Sequence, residues 1–504
     1  MDELYMLAEN GMGDMGLGSL SQLEALSKAL SAPASYTDLY TTPGGSLTMQ
    51  SLEMMLATLT LKATDFTLWQ DMNKMKAYST VEEYDQQTGL GISDGGFVDQ
   101  FSNPTFQDAD FIKQISIVKF MREGWKVGDV QEATRTTIDI RTKQQQAAMA
   151  RMLRNLDRAL YNGNSAWIPE SIDGLAKTIA ASSSEQIYDM RGGNVTMGTF
   201  NLIGQLITEG NGQVENAKIY VSPAGVQNLS TITEDGTTAA NNRKIMKSGD
   251  ANITIGGKIS GIMTNFGEMK PRMDKILGLE FEAQGVPKYR NNTTGLWVEG
   301  ATADNAPSAP AVALTVNAVG TGSKFSAGTT RPSGVAYSYR VSARNKYGRS
   351  IACAAVTAGS TVAAGGSISI AITPAAGDSG AKVPSCFVIY AKKTEDANND
   401  YRYMDTIAAD ATNPLAAVTY EDKNLYIPGT ARMYVIDQTT QGESRVLSYA
   451  QLLPIHNTDL AKVGPYSQGL INLYGTMKYY KPNVLVEIRN IGVSQTNANL
   501  YNVV

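Results

Sequence analysis

A chain of 504 residues is too long for one compact core and predicts two to four domains. Its net charge of -5, with 18% charged residues, argues against a basic nucleic-acid binder and against a disordered acidic tail. Two cysteines, Cys353 and Cys386, without CxxC or Cys/His spacing, argue against a disulfide framework or a structural zinc site. Two buried thiols in a reducing compartment fit that usage.

The first ten residues, "MDELYMLAEN", carry no basic run followed by an apolar one, and the longest nearly apolar run, "MMLATLTL", is too short to span a bilayer. Neither export by a visible signal nor a membrane span is expected. Residues 1 to about 45 are rich in Gly, Met, Ser and Ala, with a short helical pattern at Leu23, Leu26 and Leu30, and read as a flexible or partner-dependent arm. From Leu47 to about Met75 apolar residues recur at helical spacing, turning strand-like at "AYSTVEEYD". Residues 88 to 110 hold Gly, Asn, Pro and Asp throughout and predict a long excursion with no core of its own.

"FIKQISIVKFMREGWKVGDV" then reads as extended strand, dominated by β-branched and aromatic residues. The period changes after it. Met149, Met152, Leu153, Leu156 and Leu160 recur at three and four residues, with Arg151, Arg154, Asp157 and Arg158 on other faces, which predicts an amphipathic helix over 141–162. Asn162 and Gly163 are its expected stop, and Gly174 marks the turn at which the chain restarts. Residues 184–300 alternate strand and helix: Leu202, Ile203, Leu206 and Ile207 mark a helix closed by Gly210, and "AKIYVSPAGVQNL" is a strand feeding a helix capped by Ser222 with Pro223 in its first turn. "NITIGGKISGIMTN" is glycine-punctuated strand.

Composition shifts near residue 303. All four tryptophans precede it, and from there to Tyr403 there is no methionine. "NAPSAPAVALTV" reads as a linker into a β-sandwich whose strands are "AYSYRVSARNKYGRS", "SISIAITPAAGDSG" and "CFVIYAKK". "GLINLYGTMKYYKPNVLVEIRNIGV" alternates apolar and polar residues across a Lys481-Pro482 turn, so the first body is expected to resume after an insertion.

No residue set nominates itself for catalysis. "GDSG" at 377–380 resembles a serine nucleophile turn, but the only histidine, His456, falls outside the segment that holds it. "GGKIS" at 256–260 lacks the first glycine of a phosphate loop. Glu395, Asp396 and Asp400 do not follow the spacing of a calcium loop. No cofactor or metal is expected. Arg151, Arg154 and Arg158 form a basic row on the helix that could touch phosphates.

The long helix, then "RALYNGN", "SIDGLAKTI", "IYDMRGGNVTMGTFN" and "AKIYVSPAGV", resembles the order of elements in tailed-bacteriophage major capsid proteins of the Hong Kong 97 fold. The likeness is to versions interrupted by an immunoglobulin-like domain introduced by a sequence like "NAPSAPAV" and followed by a "YGTMKYYKP…IRNI" ending. It implies an α+β capsid fold with an inserted immunoglobulin- or fibronectin-like sandwich, divided as 1–84 arm and helix, 85–132 extended loop and strands, 133–194 peripheral domain with spine helix, 195–302 axial domain, 303–430 insertion and 431–504 return to the body. "YRVSARNKYGRS" resembles a late fibronectin strand yet precedes "CFVIYAKK", which resembles an early one, so a permuted sandwich or one of another topology is expected.

What the resemblance implies about function is a virion shell protein, not an enzyme, forming hexamers and pentamers into an icosahedral capsid in the host bacterial cytoplasm. Portal, scaffold and decoration proteins are its expected partners. Packaged double-stranded DNA is expected in weak, non-specific contact at Arg151, Arg154 and Arg158. The insertion is expected to project outward. Two alternatives accompany this reading: the shell of an encapsulin-like compartment, and an exported immunoglobulin-like adhesin.

Overall fold

A computed structural model describes residues 65–91, 97, 99–103, 106–134, 139–231, 260–282, 284–290, 294, 296–393, 400–440 and 442–493. All of them fall within one compact unit. The helical pattern at Leu23, Leu26 and Leu30, most of the 47–75 pattern, residues 256–259 of "GGKIS", and Glu395 and Asp396 lie outside the described residues.

The chain runs through α1 (Thr67–Asp71), β1 (Lys74–Lys76), β2 (Val81–Gly89), β3 (Asp110–Ile117), β4 (Lys119–Gly128), α2 (Asp129–Ala133), α3 (Ile140–Asn162) and α4 (Leu175–Ser182). It continues with β5 (Ile187–Asp189), α5 (Met197–Glu209), β6 (Ala217–Val221), α6 (Pro223–Thr231), β7 (Ile262–Thr264), β8 (Gly267–Met273) and α7 (Lys275–Leu277), the last passing into a π-turn at Gly278–Glu282. Next come β9 (Lys288–Arg290), β10 (Trp297–Glu299), β11 (Ala311–Asn317), β12 (Tyr337–Arg344), β13 (Val356–Thr357), β14 (Ser367–Thr373), β15 (Cys386–Lys393), β16 (Arg402–Ala408) and β17 (Val418–Asp422). β18 (Ala431–Asp437), β19 (Leu447–Gly464), β20 (Tyr466–Tyr479) and β21 (Val486–Ile491) complete it.

The long helix forms where its periodicity requires it. Asp139 caps it, Oδ1 accepting from Arg141 N at 3.1 Å, and Ala148, Met152, Leu153, Leu156 and Leu160 are buried along one stripe. Met149, expected in that stripe, is 40% exposed. At 100° per residue Met149 shares the face of Leu156 and Leu160, so its exposure means that this turn of the stripe is left uncovered among the described residues.

A six-stranded sheet, ordered β5-β21-β18-β6-β8-β7, is buried on both faces at its centre. Ile219, Val221, Met433 and Val435 meet Phe200, Ile203 and Ile207 of α5. The alternate residues Tyr220, Tyr434 and Ile436 turn to the core shared with α3, Leu277 and Phe281. That two-sided burial is why "AKIYV" and "ARMYVID" read as nearly continuous apolar runs. The second body sheet, β1-β19-β20-β4, lays Trp125, Leu447, Tyr449, Leu473 and Met477 against the same core as Met152 and Leu156. The C-terminal return, expected to rejoin the peripheral part, therefore divides: β18 and β21 complete one sheet, β19 and β20 the other.

Residues 311–422 form two facing sheets, β11-β14-β17 and β13-β12-β15-β16, around Tyr337, Tyr339, Val341, Ile370, Phe387 and Ile389. The second sheet is buried on its outer face too. Val388, Tyr390, Tyr401 and Tyr403 enter the body core beside Phe281. This two-sheet unit is thus packed on the rest of the chain through the outer face of its second sheet, because alternate residues of β15 serve two cores at once.

Candidate assembly surface

β2 and β3 make a two-stranded antiparallel ribbon whose directly opposed residues share a face. Glu82, Tyr84 and Gln86 point toward the body. Lys478 Nζ pairs with Glu82 Oε2 at 2.7 Å, and Gln86 Nε2 donates to the carbonyls of Tyr479 and Tyr480, both at 2.8 Å. Ser116 Oγ adds a bond to Met477 O at 3.1 Å. The other face pairs Val81 with Ile117, Glu83 with Ile115, Asp85 with Lys113, and Gln87 with Phe111.

That outer face is open: Phe111 is 68% exposed, Ile115 60% and Ile117 57%. Beyond the strands, Leu90, Phe97, Phe101 and Phe106 are more exposed still. Single exposed hydrophobics need no explanation, but so many along one ribbon mark a surface that another chain covers. The sequence showed an excursion without a core; the structure adds that its roots are fastened while its apolar face is left bare.

The ribbon's base rests near the end of α3, where two glycines let the chain reverse. Gly163 follows α3 with φ -65° and ψ 140°, and Gly174 precedes α4 with φ -90° and ψ 179°, so neither needs left-handed backbone. Both are required by close approach instead. Gly174 N donates to Gly163 O at 2.8 Å. A Cβ on Gly163 would stand 2.4 Å from the carbonyl oxygens of Ala159 and Ile172, and one on Gly174 2.6 Å from Ala159 O. Asn162 closes the helix with Nδ2 turned to Tyr403 Oη at 3.5 Å, which reaches β16.

α1, the root of the N-terminal segment, is held by acids. Trp69 N donates to Asp157 Oδ1 at 3.2 Å, and Leu68 N to Asp274 Oδ2 at 3.4 Å, so the free N–H groups of a helix start meet two carboxyls. Asp71 at the other end pairs with Arg272 at 2.8 Å and Lys218 at 3.1 Å. Asp157 and Asp274 are fully buried and interact directly. Asp157 Oδ2 has no hydrogen-bond donor, and one proton held by this coupled pair of buried carboxyls would supply it. Burial, then the Asp274 charge, pushes Asp157 well above the carboxylate range, and burial raises Asp274. Tyr161 Oη donates to Asp274 Oδ2 at 2.9 Å.

A pH dependence follows with a definite sign. Because the folded pKa lies above the unfolded one, this pair contributes stability below the ordinary carboxylate pKa of 3.8 and loses it as pH rises through the folded value. Asp157→Asn keeps the acceptor for Trp69 and replaces the shared proton with an amide donor. Its melting temperature is expected to match wild type near pH 4 and to exceed it increasingly toward pH 8. A constant difference across that range, measured by calorimetry, would remove the shared proton.

The basic row is engaged within the molecule. Arg158 Nη2 lies 2.5 Å from Glu280 Oε2, a carboxylate only 6% exposed. Arg151 Nη2 donates to Gly124 O at 3.1 Å and its Nε stands 3.8 Å from Glu123. Arg154 is half-buried with Nε unpaired. "GDSG" is a loop between β14 and β15, where Asp378 accepts from Ser308 N and Oγ at 2.9 and 2.7 Å. His456 sits on β19, its Nδ1 3.1 Å from Pro454 O. Cys353 and Cys386 are free and buried, and burial pushes both thiols up. Among the described residues no helix is long and apolar enough to cross a membrane.

Residues 39–287 match the family model described as SU10 major capsid protein. No curated protein sequence matches. Similar solved structures include the capsid of a native GTA particle, at 8% identity and TM-score 0.45 over 89% of this chain and 97% of the other. The capsid of Cyanophage P-SCSP1u is similar at 8% identity and TM-score 0.40, over 88% and 93%. The SrpI encapsulin complex from Synechococcus elongatus PCC 7942 is similar at 9% and 0.38, over 90% and 96%. With each of these scores below 0.5, assignment rests on the family match, which spans α1 through the π-turn and so includes the ribbon, α3 and the glycine turn. Residues 39–287 are similar to the SU10 major capsid protein family, and the chain is a phage capsid shell protein.

Proposed function

We propose that the chain assembles as hexamers and pentamers into an icosahedral shell of the Hong Kong 97 type around the double-stranded DNA of a tailed phage. The observation that carries this reading is the ribbon with fastened roots and a bare apolar face. Covered by a second copy at each contact, and repeated around closed rings, such a face builds a shell from contacts that are individually modest. The expected site of assembly is the host bacterial cytoplasm, with portal, scaffold and decoration proteins as partners.

In this reading residues 303–430 are an inserted immunoglobulin-like domain. Tyr337, at the start of β12, donates its hydroxyl to Pro332 O at 2.6 Å, a backbone bond just upstream like that of the tyrosine corner in such sandwiches. β12 lies between β13 and β15, so a strand of late character precedes its early-type neighbour in the chain, which supports a permuted order. A weak, non-specific contact with packaged DNA falls to Arg151, the most exposed of the three arginines, because a phosphate reaching Arg158 would have to break the Glu280 pair.

Electron microscopy of the purified full chain tests the proposal. Uniform polyhedral particles or ring-shaped capsomers are expected, and dispersed monomers under every assembly condition would refute it. An encapsulin-like role would instead reveal itself as closed shells holding a protein cargo and no nuclease-protected DNA.

A further inference from the structure

β4 and β20 pair so that Phe120, Arg122 and Lys126 share one face with Tyr474 and Leu470. The other face carries Trp125 and Val127 into the core shared with α3. Of β4, β19 and β20, only Glu123 and Asp459 are acidic, and both turn to α3: Glu123 Oε1 accepts from Asn155 Nδ2 at 3.2 Å, and Asp459 Oδ2 pairs with Arg141 at 2.7 Å. The face that looks away from α3 therefore has cations and no acid. Phe120 is 56% exposed there, and Arg122 and Lys126 are exposed beside it. Arg122 donates Nε and Nη2 to Tyr474 Oη at 3.0 and 2.7 Å, and Lys126 Nζ lies 3.5 Å from the centre of the Tyr466 ring. These aromatic partners hold the two side chains in place without neutralising them.

The ribbon has the opposite character. From Ala77 to Ile112 the chain carries seven acidic residues and no lysine or arginine. Glu82 is paired with Lys478 and Glu83 with Lys113, while Asp85, Asp99, Asp108 and Asp110 are exposed. The ribbon does not lie over the cationic face of its own copy. It leaves the sheet at the Lys119 end of β4, with Val118 alone between β3 and β4, and Gln86 fixes its base on the carbonyls of Tyr479 and Tyr480. Turning back over Arg122 and Lys126 would break those bonds.

We propose that this cationic, aromatic face of β4 and β20 receives the acidic ribbon of a second copy, with Arg122 and Lys126 set against its carboxylates and Phe120 against its bare apolar side chains. This rests on the reading that a second copy covers the ribbon, and adds the receiving face and the charges that select it. Opposite charges across a contact fix register and speed encounter, and salt screens them. Arg151 reaches Glu123 on the α3 side of the same sheet, so a DNA contact there is independent of this one.

The test uses the full chain, with closed particles counted by electron microscopy and light scattering, and circular dichroism and melting as the check on folding. Arg122→Glu with Lys126→Glu is expected to lower the yield of particles about tenfold or more. Asp99→Lys with Asp108→Lys and Asp110→Lys is expected to do the same. A mixture of the two variants is expected to assemble, because each ribbon then finds a face of opposite charge. Wild-type yield from the Arg122 and Lys126 reversal overturns the proposal, as does a mixture that assembles no better than either variant alone. If Phe111, Ile115 and Ile117 changed to serine still block assembly in those cases, the ribbon remains a contact and only its receiving face is wrong. Should the reversed face fail to fold, Arg122→Gln with Lys126→Gln takes its place: a lowered yield that sodium chloride no longer reduces further supports the charge pairing, and wild-type yield overturns it.

Discussion

Changing Phe111, Ile115 and Ile117 together to serine is expected to leave the chain folded and to stop it short of closed particles. These three side chains stand on the outer face of the ribbon and are more than half exposed, so they contribute little to the fold of one copy. Their burial under a neighbouring subunit is where they count. At about 1.5–3 kcal/mol for each fully buried side chain, their loss removes a large share of what any one contact in a ring supplies. Circular dichroism and the melting curve of the variant should follow wild type, while light scattering and electron microscopy should register capsomers or smaller species in place of shells. Normal particles from the triple variant would show that the ribbon's apolar face is not an assembly contact.

The second large effect is expected at the glycine turn. Gly174→Ala puts a methyl group 2.6 Å from Ala159 O and 2.8 Å from Gly163 N, and Gly163→Ala meets two carbonyl oxygens at 2.4 Å. These are backbone atoms, some of them in the last turn of α3, and they cannot swing aside as a side chain can. Relief requires the end of α3 and the start of α4 to separate, breaking the Gly174 N to Gly163 O bond and disturbing the burial of Leu160, Tyr161 and Leu175. A loss of about 3 kcal/mol or more is expected for either variant, measured by denaturant unfolding of the soluble chain. Stability within error of wild type would mean that the turn is looser than its geometry states. Unlike the ribbon change, this one acts on the fold of the single copy, so the two variants separate folding from assembly.

The two facing sheets of residues 311–422 have an energetic consequence of the same kind. Because Val388, Tyr390, Tyr401 and Tyr403 belong to the body core, removing residues 303–430 does not simply trim an ornament; it uncovers Phe281 and its neighbours. Packing of residues 311–422 on the rest of the chain through an aromatic core explains why β15 and β16, the strands at that contact, carry large residues on both faces.

Much was legible in the chain itself. The 3.6-residue period placed α3, the β-branched runs placed β3 and β4, and Ser222-Pro223 placed the cap of α6, since local propensity and burial agree at those positions. The composition break near 303 marked the sandwich, and the coreless excursion pointed to a surface needing a partner. Other features depended on residues far apart meeting in space. The arginines at 151, 154 and 158 read as a free basic row because no sequence rule brings Glu280, 122 residues beyond Arg158, to the helix. Gly163 and Gly174 could be named as turn glycines, but only the packed backbone revealed that they touch each other. Nothing in the spacing announced that Asp157 and Asp274 would meet in the core, or that β15 would serve two cores. Periodicity is a property of neighbours along the chain, so sequence alone determined the elements and the coreless excursion. Charge pairing, shared protons and close backbone approach belong to neighbours in space, and those the tertiary structure decided.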